Sequence, residues 1–318
     1  MGEEEKISAE GTLFPLEEDF SGFKSGFVAI LGRPNVGKST LLNNLLGTKV
    51  ASTTPKPQTT RTRILGVLHG KGYQIAFIDT PGIHDPINKL GEYLVRNAMR
   101  SLRDSDLNLF LVEAPAGFTD EDSAALQQIY EKSSAPLVLV INKIDLAPDY
   151  DEDAIVSAAS QIQKPERVVS ISAAKRINLD ELVDTIVELL PEGPPFYDSD
   201  FITDTSYEEI VAEIIREKLI MSVYQEIPYQ SAVVVEKIGP KEDNPDILHI
   251  QADIIVARPG QKVIVIGKGG STLKKIGTLA REELEQFFGQ KVFLELWVKV
   301  RENWYKSDRA IREFGYNR

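Results

Sequence analysis

The sequence predicts an α/β fold built on a mostly parallel sheet, followed by a smaller α+β unit. Three observations carry this reading. From residue 27 to about 190, apolar runs of strand length alternate with helix-like segments, the pattern of a parallel sheet with helices on both faces. The stretch Pro191-Glu192-Gly193-Pro194-Pro195, with polar Tyr197-Asp198-Ser199-Asp200 behind it, then stops any helix or strand. Beyond that break the order becomes helix, strand, strand, glycine loop, helix, strand and a last helix.

Taken in order, residues 1–24 hold 7 acidic against 2 basic residues and read as a tail without a core of its own. Strands are expected at Phe27 to Leu31, Arg63 to His69, Tyr73 to Asp79, Leu107 to Val112, Leu137 to Asn142 and Val168 to Ile171. The run Phe27 to Leu31 is apolar and rich enough in branched residues to be a buried parallel strand. Helices are expected near 38–47, 89–102, 120–132, 152–163 and 178–190. The first unit thus spans 25–190 and a linker 191–206, leaving 207–318 for the second. There the expected elements are a helix from Tyr207 to Val223, strands Ser231 to Ile238 and Ile247 to Ala257, a helix Ser271 to Phe288, a strand Lys291 to Arg301, and a helix near 303–314. The run Val263-Ile264-Val265-Ile266 has a strand-like pattern.

Composition narrows the chemistry. The chain has no cysteine, so disulfides and thiolate metal sites are excluded. His69, His84 and His249 lack metal-ligand spacing. No window approaches the roughly 18 apolar residues of a spanning helix, and the acidic start Met1-Gly2-Glu3-Glu4-Glu5 is unlike a secretory leader. A cytoplasmic location is expected, with peripheral contact at the cytoplasmic face of the cell membrane left open. The net charge of -12 argues against indiscriminate nucleic-acid binding, yet Val256 to Arg318 carry 13 basic against 7 acidic residues. A polyanion would dock at that basic end.

The chemistry begins at Gly32-Arg33-Pro34-Asn35-Val36-Gly37-Lys38-Ser39, between an apolar strand and the helix opening at Thr40. In the G-x-x-x-x-G-K-[S/T] pattern the glycines curl the backbone so that its N–H groups face phosphate oxygens. Lys38 would bridge the β and γ phosphates, and the Ser39 hydroxyl would ligate Mg2+. Asp79-Thr80-Pro81-Gly82 closes a strand, where Asp79 can hold Mg2+ through water and the Gly82 N–H can reach a γ-phosphate. In the polar loop Thr53 to Arg61, either Thr59 or Thr60 could complete the metal shell, with Thr60 slightly favoured. Asn142-Lys143-Ile144-Asp145 selects the base. The Asp145 carboxylate can accept from guanine N1–H and the exocyclic amine, whereas adenine would leave it unpaired. Asn142 would tie this loop to the phosphate loop, and the Lys143 stem would lie over the base. The backbone N–H groups around Ser172-Ala173-Ala174 could meet guanine O6.

These motifs resemble the group of GTPases that includes Era, EngA and MnmE. The resemblance implies GTP and GDP as ligands, Mg2+ as cofactor, and hydrolysis carried by Lys38, Asn35, Thr60, Asp79 and Gly82. Many small GTPases orient the attacking water with a Gln after the Asp-x-x-Gly motif; here that residue is Ile83, as in the group resembled. In that group an Asn at the position of Asn35 ligates K+; as a residue, Asn35 equally suits a plain turn.

Gly267-Lys268-Gly269-Gly270 matches the glycine loop of KH domains, through which a nucleic-acid backbone approaches closely. Lys268, Lys274, Lys275 and Arg281 are the candidate phosphate contacts, against a plain solvated helix face. The KH resemblance places a short helix over 261–266, and that placement is the one adopted here. Trp297 and Trp304 could stack on bases, but packing under the final helix is the favoured expectation. One phosphate-loop domain, no second copy, a KH (type II) domain and the tail from Trp297 to Tyr316 together resemble the Era family over 25–318. The resemblance implies a P-loop NTPase domain followed by a KH domain, a monomer that binds the single-stranded 3′ region of small-subunit ribosomal RNA and assists small-subunit assembly. A scaffold holding guanine nucleotide as a structural ligand is the alternative.

Overall fold

The chain is described from a computed structural model, over residues 20–53, 63–80, 89–92, 105–224 and 226–314. Its first half is a six-stranded sheet of β1 (Lys24–Leu31), β2 (Ile64–Gly70), β3 (Tyr73–Asp79), β4 (Leu107–Glu113), β5 (Leu137–Asn142) and β6 (Arg167–Ser170), in the order β2-β3-β1-β4-β5-β6. All neighbours run parallel except β2 and β3, which form an antiparallel pair at one edge. Between the strands run α1 (Lys38–Leu46), α2 (Asp120–Tyr130) and α3 (Glu152–Ser160), and α4 (Leu179–Leu189) follows β6. Val28 and Ile30 of β1 join Leu41, Leu42, Leu182 and Ile186 on one side, while Ala29 and Leu31 join Leu126, Ile129 and Ile155 on the other. Each such fully buried branched side chain contributes about 1.5–3 kcal/mol. Residues 89–92 are helical, within the helix expected there.

Residues 191–206 are stitched to the sheet. Ser25 Oγ donates to the Pro194 carbonyl at 2.8 Å, Phe196 stacks on Phe27, and Thr203 Oγ1 donates to the Leu65 carbonyl at 2.6 Å. At Ser206 a capping box with Glu209 starts α5 (Tyr207–Ser222).

The second half is a three-stranded sheet, β7 (Ser231–Lys241), β8 (Asn244–Val256) and β9 (Lys291–Val300), with β7 and β8 antiparallel and β8 and β9 parallel. The helices α5, α6 (Pro259–Ile266) and α7 (Ser271–Phe288) cover one face, burying Ile214, Val265, Ile276 and Leu284 against Ile250, Ile254 and Val298. Over 261–266 the strand-like pattern gives way to a helix: Pro259 stands at its first position and Val265 alone of the apolar run is buried in the core. The helix expected near 303–314 is split into a 3-10 turn, Trp304–Lys306, and α8 (Asp308–Glu313), because Ser307 leaves the helical region to cap the latter. Among the described residues no helix is long and apolar enough to cross a membrane.

Candidate nucleotide site and nucleic-acid groove

The carboxyl ends of β1, β3, β4 and β5 bring the nucleotide motifs together. Gly37 sits at φ 103, and a Cβ there would lie 2.3 Å from Asn142 Nδ2, so only glycine lets the phosphate loop pass this close to the base loop. Lys38 Nζ donates to the Gly32 and Arg33 carbonyls at 3.0 and 2.9 Å and stands within the loop. Ser39 Oγ donates to Asp79 Oδ2 at 2.7 Å, which joins the two expected metal ligands. Thr80 Oγ1 anchors the end of β3 to the Ile30 carbonyl. Thr59, Thr60, Pro81, Gly82 and Ile83 lie outside the described residues.

Burial lowers the Lys38 pKa to about 8, against a smaller opposing pull from Asp79. A triphosphate favours the charged ammonium, so above that pH binding must take up a proton. Nucleotide affinity is therefore expected to be flat below pH 8 and then to fall, approaching tenfold per unit. A fluorescent-nucleotide titration from about pH 7 to 9.5 measures the slope.

At the base loop, Asn142 Nδ2 donates to the Val36 carbonyl at 2.7 Å while its Oδ1 accepts from the Ala173 N–H at 2.9 Å. One side chain thus fastens the loops after β1, β5 and β6. Lys143, at φ 66, donates to the Asn35 carbonyl at 2.9 Å. Ser172 Oγ donates to Asp145 Oδ1 at 2.6 Å, orienting an exposed carboxylate beside the buried Ala173, with Ala174 at the surface. Arg33 is in the motif, but its guanidinium turns to Glu113 and Asp122. Sequence reading missed Glu113: nothing local marks a carboxylate eighty residues from its partner. Asp122 is readable, as the third residue after Thr119 in a capping box. Its burial pushes its pKa up, against its bonds to Thr119 and Arg33.

In the second half, Gly267-Lys268-Gly269-Gly270 joins α6 to α7, and a Cβ on Gly267 would lie 2.3 Å from Thr272 Oγ1. Beside the loop a groove of about 410 Å³ is lined by Gly270, Leu273, Lys274, Arg281, Leu294 and Leu296, among others. Lys268 is exposed on the loop, and Lys275 projects outside the groove lining, one residue round the helix from Lys274. Trp304 is buried under the C-terminal segment, its indole N–H donating to the Gln230 carbonyl at 2.8 Å. Trp297 departs from the favoured expectation: it stands on the outer face of β9 at 61% exposure, because the C-terminal segment covers Ala232 and Ile255 of β7 and β8 instead.

Two segments of the first half, near residues 49–53 and 89–90, touch the second half. Ser52 Oγ donates to Glu213 Oε2 at 2.8 Å, and the Thr53 N–H donates to Glu217 Oε2 at 3.0 Å. Lys49 bridges Glu217 of α5 and Glu283 of α7, and Lys218 pairs with the same two carboxylates. Burial would raise the Glu217 pKa, but Lys49, Lys218 and the Thr53 N–H outweigh it and hold the group below its ordinary value. On the far side, Leu90 is buried against Trp304 and Ile311 while Lys89 pairs with Asp308 at 3.0 Å.

Two family profiles match the chain, one described as a 50S ribosome-binding GTPase over residues 27–143 and one as a KH domain over 226–305. GTPase Era of Caldicellulosiruptor saccharolyticus is 48% identical over 296 residues, 93% of this chain and 98% of that protein. GTPase Era of Leuconostoc citreum is 45% identical over 299 residues, with coverage of 93% and 98%. Among solved structures, Era in complex with MgGDPNP and nucleotides 1506-1542 of 16S ribosomal RNA superposes with a TM-score of 0.88 at 45% identity, covering 92% of this chain and 99% of that one. A single-residue variant of Aquifex aeolicus Era bound to GDP.AlF4- gives a TM-score of 0.86 at 45% identity, with coverage of 92% and 99%. Identity at this level along nearly the whole of both chains, joined to the phosphate loop, the base loop and the KH groove, means that the chain belongs to the Era family of GTPases.

Proposed function

We propose that the chain is a GTP-hydrolysing switch that binds small-subunit ribosomal RNA through its KH groove and acts in assembly of the small ribosomal subunit. The nucleotide unit is 25–190, the connecting segment 191–206 and the RNA unit 207–318. The observation that carries the nucleotide reading is the pair of hydrogen bonds at Asn142, donated to Val36 and accepted from Ala173, which fixes the phosphate loop and the base loop as one cradle with Asp145 at its rim. The RNA reading is supported by the basic groove and by the relative of known structure that holds 16S ribosomal RNA. The single-stranded 3′ region suits a groove that takes about four unpaired nucleotides. A cytoplasmic monomer satisfies this reading.

Ser39 Oγ and Asp79 Oδ2 are hard oxygen donors 2.7 Å apart, a set that fits Mg2+. When bound, the ion neutralises charge on the phosphate oxygens. The chain's own part is to cradle the phosphates with the Gly32 to Ser39 backbone, set the Lys38 ammonium between β and γ, and exclude adenine at Asp145. With Ile83 where other GTPases carry a water-positioning Gln, slow intrinsic turnover is expected. K+ at Asn35 would add positive charge to that of Lys38. The nucleotide state would reach the RNA unit through Ser52 and Thr53, which bond Glu213 and Glu217, and through Lys89 and Leu90, which meet Asp308 and Trp304.

Single-turnover GTP hydrolysis by the purified chain, in K+ and in Na+, with and without RNA from the 3′ end of 16S ribosomal RNA, tests the proposal. A slow but measurable rate, higher in K+, is expected. A negligible rate in every arm would favour the scaffold, and equal rates in the two salts would remove Asn35 from the catalytic set.

A further inference from the structure

We infer that Glu113 is a positioning residue that sets how tightly the protein retains guanine nucleotide, acting through Arg33 of the phosphate loop and Lys143 of the base loop. The inference rests on the nucleotide-site reading above. Its origin lies in the order of the sheet. Strand β4 lies between β1 and β5, so its last residue emerges at the carboxyl edge between the loop that wraps the phosphates and the loop that reads the base. Glu113 is that residue, and its side chain is 15% exposed.

One carboxylate oxygen of Glu113 accepts from the Arg33 guanidinium at 2.9 Å, and the other accepts from Lys143 Nζ. Lys143 Nζ donates in turn to the Asn35 carbonyl at 2.9 Å, two residues along the chain from Arg33. The contacts close a ring: Arg33, Asn35, Lys143, Glu113 and back to Arg33. Two members of that ring, Asn35 and Lys143, have φ of 68 and 66. Non-glycine residues keep this conformation only where their surroundings hold them in it. Glu113 joins the two side chains that span these positions, and it shares the Arg33 guanidinium with Asp122, which takes the Nε at 3.3 Å. Carboxylates of this kind, bonded to two cations, make strong charge-assisted hydrogen bonds.

The brace touches the loops rather than the γ-phosphate, so GDP and GTP are affected alike. Stopped-flow release of fluorescent GDP and GTP analogues from the full chain in Mg2+ buffer is the test. In Glu113→Ala, which removes the bonds to both Arg33 and Lys143, both nucleotides are expected to leave at least about tenfold faster, each bond to a charged group being worth at least that factor, while kcat at saturating GTP stays within about twofold. Against a Lys143→Met background the same change should add less than about twofold, because the two residues act as one unit. Glu113→Gln keeps the volume and an acceptor for Lys143 but gives up the Arg33 pair; it should fall between wild type and alanine, and it carries the test if the alanine variant does not fold. Release unchanged in both variants, a lower melting temperature with unchanged release, a loss confined to GTP, or a full tenfold effect again in the Lys143→Met background would overturn the inference. A wild-type chain that retains no guanine nucleotide would overturn the site reading and this inference with it, whereas wild-type retention beside unaltered Glu113→Ala overturns the inference alone.

Discussion

Asp145→Asn is expected to cut GTP affinity about 10³-fold and to create affinity for XTP. The estimate follows from the bonds at stake: the carboxylate accepts from guanine N1–H and from the exocyclic amine, each bond to a charged acceptor being worth about 1.5–3 kcal/mol. The asparagine amide would meet those two donors with a donor of its own. Xanthine carries a carbonyl in place of the exocyclic amine and accepts from the amide. The loop should survive the exchange, because Ser172 Oγ donates to Asp145 Oδ1 and the asparagine keeps an oxygen there. Calorimetry with GTP, XTP and ATP reads the result, and GTP affinity that persisted would sink the account of base recognition.

Replacing Lys268 and Gly269 together by aspartate is expected to abolish RNA binding, a loss of at least about 100-fold, with nucleotide affinity changed less than about twofold. The chain carries a net charge of -12, so its hold on a polyanion depends on the local basic groove. The double change turns one positive and one neutral residue of the loop into two negative ones where a phosphate backbone must come close. Gly269 has φ 60, so aspartate also bears a backbone cost there. Fluorescence anisotropy with a single-stranded fragment of the 16S 3′ end, run over a range of salt, reads both affinity and the number of phosphate contacts. Unaltered RNA affinity would remove the glycine loop from the interface.

How much of this was legible in the sequence depended on how local the cause is. The strands of the first half could be read because a strand covered on both faces has to be apolar along its length, and β3 and β5 run as expected from Tyr73 to Asp79 and Leu137 to Asn142. The phosphate loop could be read because its chemistry lies within eight consecutive residues. The helix over Pro259–Ile266 defeated the pattern: four apolar residues in a row fit a strand or a buried helix equally, and the family resemblance decided it. Glu113 and the cluster of Lys49, Glu217, Lys218 and Glu283 were invisible for a different reason. Their partners are brought together by strand order and by the packing of α5 and α7, which no window of sequence contains. Trp297 shows the same limit, since which part of the sheet the final segment covers is decided by tertiary packing.

The fastening of residues 191–206 along the sheet has a mechanical consequence. A slack leash of that length would let its far end wander by about 20 Å. With its slack taken up along β1 and β2, the segment keeps the start of α5 close to the sheet. For the two halves to move far apart, that segment would first have to peel away from Ser25, Phe27 and Leu65.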